Sequence, residues 1–126
     1  MRYNDREPIY LQITNEIKAQ IAYGKLTPGM QLPTIKDQAA LMRVNPNTVA
    51  RVYALLEQEH VITKQKGLGT FVGANEHLAR ELREEIAESA TSRFVGELLR
   101  LGFSPAEIMN CLQQFLARAL GSESSR

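Results

Sequence analysis

Twelve residues, Asn45-Pro46-Asn47-Thr48-Val49-Ala50-Arg51-Val52-Tyr53-Ala54-Leu55-Leu56, restrict what this chain can fold into more than any other stretch. Asn45 is a strong helix N-cap, and Pro46 falls on the first helical position, where its missing N–H costs nothing and its fixed φ suits the helix. A helix therefore starts here. Val49, Val52, Tyr53 and Leu56 stand at i, i+3, i+4 and i+7 and form one face to bury. Asn47, Ala50, Arg51 and Ala54 fall on the other side, and no carboxylate comes before Glu57. Such an outward face suits a polyanion, because Asn and Arg pair bidentately with adenine and guanine edges. Taken alone, the same residues also describe an ordinary amphipathic surface helix.

The neighbouring residues decide between the two. Thr34-Ile35-Lys36-Asp37 carries an N-cap hydroxyl with an acid three residues on, and Ile35, Ala39 and Met42 share a helical face. A second, shorter helix is expected there. Arg43-Val44-Asn45 leaves room only for a tight turn, so the two helices meet steeply, as in a helix-turn-helix. Downstream, Val61-Ile62-Thr63-Lys64 and Thr70-Phe71-Val72 are β-prone and are separated by Gln65-Lys66-Gly67-Leu68-Gly69. A hairpin with a basic tip in this position is a wing. Upstream, Pro8 opens a support helix with Ile9, Ile13, Ile17 and Ile21 on one face, ending near Gly24. Pro28-Gly29 and Pro33 keep the following stretch extended, and Leu26, Met30 and Leu32 are available to close the core.

With these pieces in order, the chain resembles the winged-helix DNA-binding domain of the GntR transcription regulators. Gly24-Lys25-Leu26-Thr27-Pro28-Gly29-Met30-Gln31-Leu32-Pro33-Thr34 is similar to that family's lead-in motif, Asn47-Thr48-Val49 to its recognition helix, and Gly67-Leu68-Gly69-Thr70-Phe71-Val72 to its wing. The likeness covers roughly residues 8 to 73, and its specificity lies in the combined spacing. Asn45-Pro46-Asn47-Thr48-Val49 with Arg51 and Tyr53, followed by a short helical tail, resembles the YtrA-type subfamily most. Three positions depart from the family pattern. Gln38 stands where an apolar residue is usual, Arg43 where the turn usually has glycine, and His60 where glycine usually ends the recognition helix. A non-glycine residue held near positive φ costs about 1 kcal/mol. Lys36 replaces the usual arginine, which keeps the charge but loses the bidentate fork.

The net charge of +1 hides an asymmetry. Through Gly73 there are nine Lys and Arg against six Asp and Glu, and beyond it six against eight. The basic half is the half that holds the DNA-reading helix, as a domain that meets phosphates should be. The excess is modest, so affinity has to come from two such domains acting together.

After a hinge at Ala74-Asn75-Glu76, a long helix is expected from about Glu76 to Leu101, with Leu78, Leu82, Ile86, Ala90, Phe94, Leu98 and Leu101 on one stripe. Gly102 stops it, and Ser104-Pro105-Ala106-Glu107 restarts a helix with a capping box. Ile108, Met109, Cys111, Leu112, Phe115, Leu116, Ala119 and Leu120 then cover more than half of its circumference. Two helices folded on each other need one stripe each, so the surplus calls for a further partner, expected to be a second copy of the chain. The alternative is that the hairpin packs on its own winged-helix domain.

Other chemistry finds little support. Among Ile108, Leu112 and Phe115, Cys111 is expected to be a small core hydrophobe, and a single cysteine excludes an internal disulfide. His60 and His77 have no companions at metal-ligand spacing, so no metal, cofactor or catalytic group is expected. Gly67-Leu68-Gly69 lies between strands, without the helix N-terminus that a phosphate loop needs. No apolar run or leader pattern suggests a membrane span or export, and a cytoplasmic location is expected.

The expected architecture is mostly α with a small β-hairpin: a winged helix-turn-helix DNA-binding domain over residues 1–73, then a two-helix antiparallel dimerisation hairpin over 74–126. The expected function is that of a homodimeric regulator of transcription on a pseudo-palindromic double-stranded operator. The family resemblance implies a repressor. Asn47 and Arg51 are expected to probe the major groove, Thr48 and the Asn45 cap to meet phosphates, and Lys36 to add a backbone contact. Lys64, Lys66 and Gly67 bring the wing to the backbone or minor groove. A small-molecule effector, if one exists, is expected between subunits or at the hinge. The alternative from another class is a protein interaction module, with the winged helix as scaffold and the hairpin docking a non-identical partner.

Overall fold

The computed structural model describes residues 2–124, in the order α1 (Ile9–Ala22), α2 (Ile35–Met42), α3 (Pro46–Gln58), β1 (Ile62–Gln65), β2 (Gly69–Val72), α4 (Leu78–Arg100) and α5 (Pro105–Ser124). It divides into two compact units, Met1–Ile86 and Ala87–Arg126.

In the first unit α3 is the central element, packed against α1, α2 and β1. Its apolar stripe of Val49, Val52, Tyr53 and Leu56 is buried, as the spacing predicts. Ile13, Ile17 and Ile21 of α1 meet it, each at 1% exposure or less, and Leu32, Ala39, Val61, Ile62 and Val72 complete the surround. Ile9 departs from the expected isoleucine face. It is the first residue of α1 and remains 46% exposed, one turn beyond the reach of the core.

The hairpin pairs Ile62 with Val72, Thr63 with Phe71, Lys64 with Thr70 and Gln65 with Gly69. The stretch after Pro28 runs along its other edge: Gln31 bridges Phe71, the Leu32 amide donates to the Thr70 carbonyl (2.8 Å), and the Val72 amide donates to the Met30 carbonyl (2.8 Å). The wing is therefore sewn to the lead-in segment that precedes α2.

Helices α1 to α4 end alike. Each closes with paired bonds to carbonyls three and five residues back, such as Gly102 N–H to Leu99 O (3.0 Å) and Phe103 N–H to Leu98 O (3.0 Å) after α4. The residue in the left-handed conformation is glycine after α1 and α4 (Gly24, Gly102), whereas Arg43 (φ 57°) and His60 (φ 63°) hold it after α2 and α3. This geometry favours glycine because a Cβ crowds the following carbonyl. Arg43 and His60 thus hold the turns that the sequence marked as departures, and Gln38, the third, is buried at 6% exposure.

Buried polar side chains tie the outer segments to this core. Gln12 accepts from the Asn4 amide (3.0 Å) and donates to the Asn4 and Glu7 carbonyls (2.8 and 2.9 Å), fixing the segment before α1. The Tyr3 hydroxyl donates to the Met42 carbonyl at 2.7 Å. Lys18, 8% exposed, reaches both Glu59 and Glu85 at 3.2 Å and joins α1 to the end of α3 and the start of α4.

The stretch Ala74-Asn75-Glu76 is not a free joint. Asn75 accepts from the His77 amide (2.9 Å), α4 begins at Leu78, and Leu78 and Leu82 lie in the winged-helix core at 6% and 5% exposure. In the second unit, Ser104 and Glu107 form both halves of the capping box, at 2.9 and 3.2 Å. Hydrogen bonding from Ser104, first from its backbone amide and then from its side chain, holds the exposed Glu107 carboxyl below the usual carboxylate range. Ile108 is buried, while Met109, Phe115, Leu116 and Leu120 are between 44% and 60% exposed. Cys111 is exposed, contrary to the expected core position, because no described element of the second unit covers its side of α5.

Candidate nucleic-acid interface

The outward side of α3 is set by its cap. The Asn45 side-chain oxygen accepts from the Asn47 amide at 2.8 Å, Pro46 occupies the first turn, and burial of the four-residue stripe then fixes the rotation of the helix. This rotation leaves Asn47, Ala50, Arg51 and Ala54 exposed and Thr48 half-buried. Asn45 is exposed too, but its oxygen is committed to the cap, so only the side-chain N–H groups and backbone remain for another molecule.

Asn47, Thr48 and Arg51 line one open depression of about 390 Å³ together with Ile9 and Tyr10 of α1. The Arg51 guanidinium carbon lies 3.6 Å from the centroid of the Tyr10 ring. It takes part in no hydrogen bond or salt bridge among the described residues, so its five N–H donors are unclaimed by protein acceptors. Sequence reasoning identified Arg51 but missed Tyr10 and Ile9 as its neighbours. No periodicity within α1 signals a contact to a helix some forty residues away.

Lys64 faces a second, smaller and more enclosed groove of about 150 Å³ that runs between α3 and the wing and is also lined by Ile35, Ala50, Ala54 and Thr70. Lys66 and Gly67 are exposed at the wing tip, where the Leu68 amide donates to the Gln65 carbonyl (2.9 Å) and Gly67 adopts φ 80°. Gln31 braces this tip by donating from its side-chain amide to the Leu68 carbonyl at 3.1 Å. A Cβ on Gly69 would come 2.6 Å from that same Gln31 nitrogen, so a side chain there would displace the brace. Leu68 itself is 67% exposed. Lys36 is exposed in the first turn of α2, whose Thr34 cap accepts from the Asp37 amide at 3.1 Å. The structure thus brings Asn47, Thr48 and Arg51 together, sets Lys64 beside α3, and leaves Lys66 with Gly67 and Lys36 on separate exposed segments.

Among the described residues no group of three or more His, Cys, Asp or Glu side chains is placed to hold a metal ion. No described helix is long and apolar enough to cross a membrane.

The family model for bacterial regulatory proteins of the gntR family matches residues 9–72, which run from the first residue of α1 to the last of β2. The chain belongs to the GntR family. Its relatives include the helix-turn-helix transcriptional regulator YhcF of Bacillus subtilis (strain 168), 29% identical over 114 residues that cover 90% of this chain and 94% of YhcF. The transcriptional repressor YtrA of the same organism is 38% identical over 68 residues, 54% of this chain and 52% of YtrA. Among solved structures, a GntR family transcriptional regulator from Listeria monocytogenes superposes with a TM-score of 0.80 at 29% identity, over 89% of this chain and 98% of that one. The GntR chain is therefore a winged helix-turn-helix regulator of transcription that binds DNA, and not an enzyme.

Proposed function

We propose that this GntR protein acts as a homodimer, each subunit reading one half of a pseudo-palindromic operator, and that its occupancy represses transcription. The observation that carries the proposal is the outward side of α3: Asn47 and Arg51 stand exposed one helical turn apart, and Arg51 presents unclaimed donors. In this reading Asn47 and Arg51 contact base edges in the major groove, and Thr48 and the free groups of Asn45 meet phosphates. Lys36 adds a backbone contact, and Lys64, Lys66 and Gly67 carry the wing to the backbone or minor groove.

Dimerisation is supported by the second unit. Phe94, Cys111, Leu112 and Phe115 line an almost wholly apolar groove of about 370 Å³ there, beside the exposed Met109, Leu116 and Leu120. Apolar surface on this scale calls for a partner, and a second copy supplies the same surface in return. Repression is supported by the likeness to YtrA, which is named a repressor.

Selection of bound duplexes from random DNA, followed by titration at 50 and 200 mM salt and sedimentation, tests the proposal. Enriched sites with two related half-sites, a dimer in solution and a loss of about 10³-fold or more between the two salts are expected. Absence of enrichment would remove sequence-specific regulation, and a monomeric protein at binding concentrations would remove the two-headed arrangement.

A further inference from the structure

Arg51 is an exposed side chain on the outward face of α3, and such a chain normally samples many rotamers. Fixing it on a base edge then costs rotamer entropy. Here it is already held. The Tyr10 ring lies under the guanidinium at 3.6 Å, and that ring is itself fixed, being half-buried and packed against the core beside the first turn of α1. A guanidinium held over an aromatic face is attracted to the ring without a hydrogen-bond acceptor, so its N–H groups remain available to a base edge. A carboxylate partner would hold Arg51 equally well, but it would occupy the donors and repel phosphate.

We propose that Tyr10 is a positioning residue for sequence readout, holding the Arg51 guanidinium against its ring so that the bidentate N–H edge meets a guanine already oriented. The proposal rests on the assignment of Arg51 to base contact made above and adds a second helix, α1, to the determinants of specificity. It accounts for the depression that Tyr10 shares with Asn47, Thr48 and Arg51.

The test uses the full chain and two duplexes of equal length, one selected from random DNA by the wild-type protein and one a scramble of it. The readout is the ratio of the two dissociation constants together with the salt slope on the scramble. Tyr10→Leu, which keeps apolar bulk and removes the aromatic face, is expected to lower the ratio about three- to tenfold, with affinity for the scramble and its salt slope unchanged. Tyr10→Phe keeps the face and should hold the ratio within about twofold of wild type. In an Arg51→Ala background Tyr10→Leu should cause no further loss, because the residue it positions is gone.

Equal weakening of both duplexes by Tyr10→Leu, or the same loss with and without Arg51, would overturn the proposal and make Tyr10 a structural or phosphate-contacting residue. Unchanged preference in Arg51→Ala would instead overturn the assignment of Arg51, a result independent of Tyr10. Should Tyr10→Leu fail to fold, the free wild-type chain decides: Arg51 side-chain protons shifted upfield by the ring current support the stack, and unshifted resonances refute it.

Discussion

Cutting the chain at two nearby points should give products of very different stability. Truncation after Ile86 keeps the whole first compact unit, whereas truncation after Asn75 removes Leu78 and Leu82 from its core and Glu85 from Lys18. Each leucine is more than nine-tenths buried. Full burial of a leucine side chain is worth about 1.5–3 kcal/mol, so the pair contributes about 3–6 kcal/mol. The lost ion pair adds little, because Glu85 is half exposed and rehydrates, and Lys18 retains Glu59. A domain of this size has roughly 4–13 kcal/mol in total, so the shorter product should be marginal or unfolded.

Urea unfolding of both products, followed by circular dichroism, checks this directly. The Ile86 product should unfold cooperatively, with a midpoint about 2–3 M above that of the Asn75 product if the latter folds at all. The Ile86 product should also sediment as a monomer and bind DNA weakly, having lost the apolar surface of α5 and with it the linked second head. Equal midpoints would show that Leu78 and Leu82 contribute nothing to the first unit and would refute the energetic argument.

Three further outcomes follow from the interface and the core. Arg51→Ala should weaken binding to the selected duplex by about 1–3 kcal/mol with the melting temperature unchanged, whereas Lys66→Ala should weaken all duplexes alike and flatten the salt slope. His60→Gly should raise stability by about 0.5–1 kcal/mol in urea titration, because it relieves a left-handed non-glycine residue (φ 63°) at some cost in unfolded-chain entropy; no gain would mean that the turn carries no strain. Burial pushes the Tyr53 hydroxyl from 10.0 up to about 12, and it donates to the Pro33 carbonyl at 2.8 Å. Its raised value makes this contribution fully present below pH 10 and lost as pH rises through about 12, so Tyr53→Phe should cost about 1 kcal/mol at neutral pH and shrink the alkaline loss of stability.

Much of the first unit is legible in residue spacing because local rules decide it. The cap at Asn45, the proline after it and the four apolar positions of α3 place the helix and its rotation, and the rotation then exposes Asn47 and Arg51. Arg43 and His60 are legible as departures from a glycine pattern, and both sit at positive φ. The periodicity of α1 overreaches by one turn at Ile9, since spacing shows which face is apolar but not how far the opposing surface extends. Tyr10 escapes for a related reason. Its ring serves a residue on another helix, and such pairing depends on how α1 crosses α3, which neither helix encodes alone.

The same limit explains the two halves of α4 and the misplaced cysteine. Leu78, Leu82, Ile86, Ala90, Phe94, Leu98 and Leu101 form one unbroken stripe in the sequence, yet the first two are buried in the winged-helix core and the last is 72% exposed. Periodicity assigns all seven to one helix face, while burial depends on what lies opposite each turn. Cys111 and Phe115 fall on the same kind of surface, apolar by composition and uncovered by the described residues of the second unit. A surface of this kind departs from the usual way a soluble chain disposes of phenylalanine and leucine, and the proposed intersubunit contact would restore the rule. The exposed thiol then becomes a probe of the proposed dimer: alkylation of Cys111 should be rapid in dilute protein and slow as concentration rises. A rate independent of concentration across the assembly range would leave this face of α5 outside the interface.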